Sequence, residues 1–198
     1  MNALNIARIN ERVPYEVWQT SEGDFNFLTE FDVLYRISFR IEQTIWDDGA
    51  YEFSITNLNQ KSSPNDKKLR DTIFVIIEEF FASNPDILLY QCETGDNRQD
   101  MRDRLFLKWF REYEHSDRFL IKVSTIIAEE VKNYTAMIVQ KDNPQLENII
   151  RDFDEFVGFF QNKPQSYTRP TVLFLMWSFC QGHLVKIENG LSKSDTII

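Results

Sequence analysis

The run Ile87-Leu-Leu-Tyr-Gln-Cys92 sits between two breakers, Asn84-Pro85 before it and Gly95 after it. So short a stretch is below the length at which a helix holds together. Apolar residues at successive positions put apolar side chains on both faces of a strand. The run is therefore expected to be a buried central strand. Buried on both faces, it needs layers above and below, and the chain on either side has to supply them.

Upstream, period two dominates. Val33, Tyr35, Ile37, Phe39 and Ile41 alternate with Arg36, Ser38, Arg40 and Glu42, which predicts a strand with one apolar and one wet face. Phe25, Phe27 and Thr29 alternate before it, and Tyr51, Phe53 and Ile55 after it. Tyr15–Gln19 is a further short strand. Ser21-Glu-Gly-Asp24 and Asp47-Asp48-Gly49 are turn signals, with Asp24, Asp47 and Asp48 read as turn formers. The set reads as an antiparallel meander.

Helical spacing then takes over. Ser63-Pro64 predicts a helix start, with Ser63 as cap, and Leu69, Ile73, Ile76, Ile77 and Phe80 form its apolar stripe as far as Asn84-Pro85. After the central strand, Asp96 caps a second helix, with Gln99 three residues on. Its stripe is Met101, Leu105, Trp109 and Tyr113, widened by Phe106 and Phe110. Phe119–Ile126 and Tyr134–Val139 read as a hairpin. Asn143-Pro144 opens a third helix, with Leu146, Ile149, Ile150, Phe153, Phe156, Val157 and Phe160 on one face. The fold class is α+β, a mostly antiparallel sheet in the order β-β-β-β-α-β-α-β-β-α, forming one domain over residues 1–162. Residues 163–198 form a C-terminal extension. It is polar through Gln165–Pro170, apolar through Val172–Cys180 and polar again after that. An added element covering the core is favoured over a poorly ordered extension or a partner-binding segment.

Composition bounds function by exclusion. The 198 residues are 42% hydrophobic and include 17 phenylalanines, enough for a sizeable core. A net charge of −9 disfavours nucleic acid and anionic membranes. Cys92 and Cys180 fall in apolar runs and read as buried thiols, not a disulfide framework. Met1–Glu11 lacks the apolar core of a secretory signal, and Val172–Cys180 is too short to span a bilayer. The expected location is the cytoplasm.

Chemistry-bearing patterns are sparse. Arg98 and Arg102 lie one turn apart at a helix start, where free amides and a partial positive charge favour anions. Asp96, Asn97, Arg98 and Arg102 are therefore the candidate anion-binding residues. The competing reading pairs the arginines with Glu93, Asp100 and Asp103. Arg104, Lys108 and Arg111 share a basic face that reads as solvated. Cys92 ends a strand just before a helix start, but an apolar run and no neighbouring His favour inert burial. His115 and His183 have no partner at zinc-ligand spacing, so no metal is expected. No phosphate-binding glycine loop or nucleophile elbow occurs, and the chain has only 6 glycines.

Two resemblances follow from longer stretches. Asp71-Thr-Ile-Phe-Val-Ile-Ile-Glu-Glu-Phe-Phe81, Tyr90-Gln-Cys92 and Arg102-Asp-Arg-Leu-Phe-Leu-Lys-Trp-Phe110 resemble a bacterial family of unknown function, over roughly Tyr15 to Phe160. The element order, and Asp96-Asn97 followed by Leu105–Phe110, are similar to the acetyl-CoA-dependent N-acetyltransferase core. That resemblance implies acetyl-CoA as cofactor and a pyrophosphate cradle before the first long helix. The family's Arg/Gln-x-x-Gly-x-Gly/Ala loop is replaced here by Asn59–Asp66, without glycine, and Pro64 removes an amide donor. Ser62, Ser63, Asn65 and Lys67 would have to stand in. The resemblance also implies a V-shaped cleft between the central strand and the next hairpin strand, near Cys92 and Phe119. From the residues alone the expected function is a non-enzymatic protein-binding or regulatory module, with no cofactor and with a protein partner or a second copy as ligand. The alternative is a divergent acyl-CoA-dependent N-acyltransferase.

Overall fold

A computed structural model describes residues 1–47, 49–62, 65–91, 99–128 and 131–161. In chain order it contains α1 (Ile6–Asn10), β1 (Val17–Gln19), β2 (Phe25–Leu28), β3 (Leu34–Ile41) and β4 (Ala50–Asn57). Then come α2 (Lys67–Ser83), β5 (Ile87–Gln91), α3 (Gln99–Glu112), a short 3-10 turn, β6 (Phe119–Ala128), β7 (Val131–Gln140) and α4 (Leu146–Gln161). Seven strands form one sheet in the order β1-β2-β3-β4-β5-β7-β6. Every neighbouring pair is antiparallel except β4 and β5. A parallel pair needs a crossover, and α2 is that crossover. The mixed α+β class and the mostly antiparallel sheet agree with the alternation in the sequence.

Pleating divides the side chains between two faces. On the first face Phe25, Phe27, Ile37, Phe39, Phe53, Leu88, Tyr90 and Ile138 meet α2 and α3. Ring contacts carry much of this packing: Phe39 stacks on Phe80 at 4.8 Å, Tyr90 on Phe106 at 4.2 Å and Phe74 on Tyr113 at 4.6 Å. Each fully buried Phe contributes roughly 2 kcal/mol of hydrophobic stabilisation. On the second face Ala50, Ile87, Leu89, Met137 and Val139 meet Ile149, Phe153 and Val157 of α4. The central strand is thus buried on both faces, as its composition requires.

Several expectations are corrected. α2 starts at Lys67 with Asp66 as its cap, not at Ser63. The Asp66 carboxylate accepts from the Lys68 amide at 2.9 Å and from the Tyr15 hydroxyl at 2.8 Å, a long-range contact that local signals do not reveal. The wet face of β3 is only partly wet. Ser38 is buried, and so is Glu42, which turns back to accept from the amides of Thr44 and Ile45. Ile41, placed on the apolar face, lies at the strand end and is 66% exposed. Leu105 is exposed, while Phe106, Trp109 and Phe110 of the expected apolar face of α3 are buried. Asp24 is not merely a turn former but a fully buried ion-pair acceptor.

α1 was not anticipated. It is too short to stand alone and is held by tertiary contacts. Ile9 is buried, Arg8 pairs with Glu79 at 3.4 Å and Arg12 pairs with Glu78. Its last residue, Asn10, closes the outer edge of the sheet. The side-chain amide donates to the carbonyl of Val17, and its oxygen accepts from the Val17 amide, both at 2.8 Å. An unpaired edge strand invites association, and Asn10 occupies the hydrogen-bonding position a further strand would take.

Candidate functional site

Of the residues proposed as anion ligands, Asp96, Asn97 and Arg98 lie outside the described residues, as do Cys92, Cys180 and the extension after Gln161. Arg102 lies in the first turns of α3. Of the residues proposed as a substitute cofactor loop, Ser63 lies outside the description, and Ser62, Asn65 and Lys67 are exposed around the start of α2. The helix start itself is occupied. Asp66 is buried, its two oxygens are engaged by Lys68 and Tyr15, and the phenol is pushed up to about 12 by burial and by the bond to Asp66.

The loop before α2 is tied down. Asn59 donates to the carbonyl of Asp32 at 2.9 Å and accepts from the Leu34 amide at 3.2 Å. Asn57 donates to the carbonyl of Lys61 at 2.8 Å, and its own buried side-chain oxygen has no hydrogen-bond partner among the described residues.

β4 and β5 pair from Ala50 with Ile87 to Phe53 with Tyr90. Among the described residues, Ser54–Asn57 pair only with β3. The V-shaped cleft expected between the central strand and the hairpin, near Cys92, falls outside the described residues, which break off here at Gln91. β5 stays paired with β7 from Leu88 to Gln91, and β6 lies beyond β7. Phe119 does not stand at the Gln91 end of β5. β7 runs antiparallel to both neighbours, so Phe119, which pairs with Gln140, sits beside the start of β5 and packs on Phe81 at 5.0 Å.

The second face of β2–β4 carries a polar cluster. Asp24, only 1% exposed, lies 2.7 Å from Nη2 of Arg40 and 3.7 Å from Nε of Arg36. Nε of Arg36 also donates to Asn26 at 3.4 Å. Glu52 stands opposite Arg40 across the β3–β4 ladder. Its carboxyl is pushed up to about 7, first by burial and then by the charge of Glu42, with Arg40 acting the other way. Trp18, opposite Asn26, is 45% exposed, and Leu28 is 46% exposed. Sequence reading put Arg36 and Arg40 on one face but missed their shared partner. Asp24 precedes β2 and reaches them only through strand pairing.

A second charged cluster lies on α2. Glu78 and Glu79 are both buried; Glu78 pairs with Arg12 and His115, and Glu79 with Arg8. His115 is thus engaged by a carboxylate. Lys108 reaches Glu112 at 3.9 Å, and Arg111 donates to the carbonyl of Leu107, which leaves that basic face partly self-satisfied. Among the described residues there is no group of three or more metal-ligating side chains, and no helix is long and apolar enough to cross a membrane.

Residues 65–155 match the model of a family of unknown function, DUF6169. The match begins just before the cap of α2 and ends within α4, so it takes in β5, β6 and β7 and leaves β1–β4 outside it. No curated protein and no solved structure matches the chain.

Proposed function

We propose that this chain is a non-enzymatic protein-binding or regulatory module of the cytoplasm. The observation that carries the reading is Asp66. A helix start recognises phosphate through free amides and a partial positive charge. Here a buried carboxylate already takes the Lys68 amide and places a negative charge at that end of α2. Like charges about 4 Å apart cost about 1 kcal/mol even in water and more where water is excluded. The same reading draws support from Trp18, Leu28 and Phe31, each nearly half exposed on the outer strands and the β2–β3 turn, an arrangement suited to docking a protein. The test is calorimetric titration of the full chain with acetyl-CoA. No saturable heat is expected, and micromolar binding overturns the reading.

One observation favours a second reading, a divergent acyl-CoA-dependent N-acyltransferase. The order β1-β2-β3-β4-β5-β7-β6, with its single parallel pair between β4 and β5, is similar to that family's sheet. Glu52, with its carboxyl near 7, is suited to proton transfer at neutral pH. This reading expects acetyl transfer to a simple amine that Glu52→Gln abolishes.

A further inference from the structure

We propose that the second face of β1–β4 binds a protein segment presenting a single carboxylate beside an apolar side chain, with Arg36 gripping the carboxylate. The inference rests on the protein-binding reading and adds the chemistry of the partner. Two guanidiniums, Arg36 and Arg40, converge on one buried carboxylate, Asp24. Arg40 is the better satisfied. It lies 2.7 Å from Asp24, donates to the carbonyl of Phe39 at 3.2 Å and faces Glu52 across the ladder, with Glu42 two residues on, just past the end of β3. Among the described residues Arg36 is held by its inner nitrogen alone, to Asn26 and Asp24. Its two terminal nitrogens have no hydrogen-bond partner among the described residues, and the side chain is 33% exposed. A guanidinium anchored at Nε with a free fork is preorganised for bidentate pairing with a carboxylate.

The surroundings set the rest of the ligand. Thr56 stands opposite Arg36 on β4 and is exposed, so its hydroxyl lies on the same face. Arg36 also stands opposite Asn26 on β2, and Asn26 stands opposite Trp18 on β1. Leu28 lies next along that face and pairs with Leu34. The charged spot is therefore flanked by an exposed indole and a leucine pair, an apolar shelf for a neighbouring side chain. A polyanion is disfavoured by the net charge of −9, which a single carboxylate meets with far less repulsion.

The experiment is a two-dimensional NMR titration of the full chain with N-acetyl-Leu-Glu-Leu-amide, its Gln counterpart and inorganic phosphate. The Glu peptide is expected to move the Arg36 Nε–H and Trp18 indole signals saturably. The Gln peptide should bind about tenfold more weakly, the worth of a charge-assisted pair on a partly exposed face. Arg36→Gln should remove the difference between the peptides while the rest of the spectrum stays in place, and Arg36→Lys should restore only part of it. Equal movement with both peptides, or the same preference in Arg36→Gln, overturns the inference while leaving the protein-binding reading intact. Saturation by phosphate without peptide binding overturns it in favour of a small-anion site. Failure of the protein-binding reading is seen separately, as acetyl-CoA binding by calorimetry.

Discussion

The hydroxyl of Tyr15 donates to one oxygen of Asp66 at 2.8 Å, while the other oxygen caps α2 at the Lys68 amide. A segment preceding the sheet thus completes the start of the crossover helix. Tyr15→Phe keeps the ring stacked on Phe27 and removes only the donor. A buried carboxylate that loses one of its bonds is expected to cost about 1–2 kcal/mol. Asp66→Ala loses the helix cap as well and should cost about 2–3 kcal/mol. Urea midpoints at constant slope measure both. An unchanged midpoint in Tyr15→Phe would show that Asp66 does not depend on that donor.

Glu52 gives a pH dependence whose sign is determined. Burial and the neighbouring Glu42 raise its carboxyl from 4.5 to about 7. Between those values the folded chain holds a proton that the unfolded chain has released. Stability contributed by this group therefore falls as pH rises through that window, and the penalty is complete above it. Glu52→Gln should unfold at higher denaturant than the parent at about pH 8, by roughly 1–3 kcal/mol, and show little difference at about pH 4. Glu42, also raised by burial, leaves part of the slope in the variant. A variant no more stable than the parent at alkaline pH would contradict the assignment.

How much of this was legible in the sequence depends on how far apart the deciding residues lie. The alternation in β3 and the breakers around β5 are local, and the sheet follows from them. The start of α2 is not local, since Ser63-Pro64 carries a start signal yet Asp66, bonded to Tyr15, is the cap. α1 escaped notice because its stability comes from Glu78 and Glu79, not from its own five residues. The polar cluster was half visible. Period two places Arg36 and Arg40 together, but only the β2–β3 register brings Asp24 beneath them.

Asn10 mimics a neighbouring strand at Val17, and its removal should open that edge. Asn10→Ala leaves an amide and a carbonyl to solvent, at a cost of about 1 kcal/mol, the typical worth of a lost hydrogen bond. The larger expected effect is on association, because the uncapped edge lies beside exposed Trp18. Sedimentation velocity over a concentration series should show reversible self-association in Asn10→Ala beyond that of the parent. Identical profiles would mean that Asn10 does not protect the edge.

The N-terminal segment neutralises two carboxylates that α2 buries. Glu79 is 1% exposed, accepts from the Asn5 amide at 3.3 Å and pairs with Arg8; Glu78 is 7% exposed and pairs with Arg12 and His115. Leu4 and Ile9 fill the space beside them. A chain starting at Val13 would keep His115 but lose both arginines and both apolar plugs. Breaking a buried pair costs about 3–5 kcal/mol because a charge is left uncompensated, and water entering the vacated groove offsets part of that. A loss of about 3 kcal/mol in thermal or urea unfolding is expected. Glu78→Gln with Glu79→Gln in the shortened chain should recover part of it, since the groove then holds neutral amides. The two changes should destabilise the full-length chain, where the arginines would lose their partners. Opposite signs in the two backgrounds would identify charge compensation as the role of α1. Equal effects would reduce α1 to apolar packing alone.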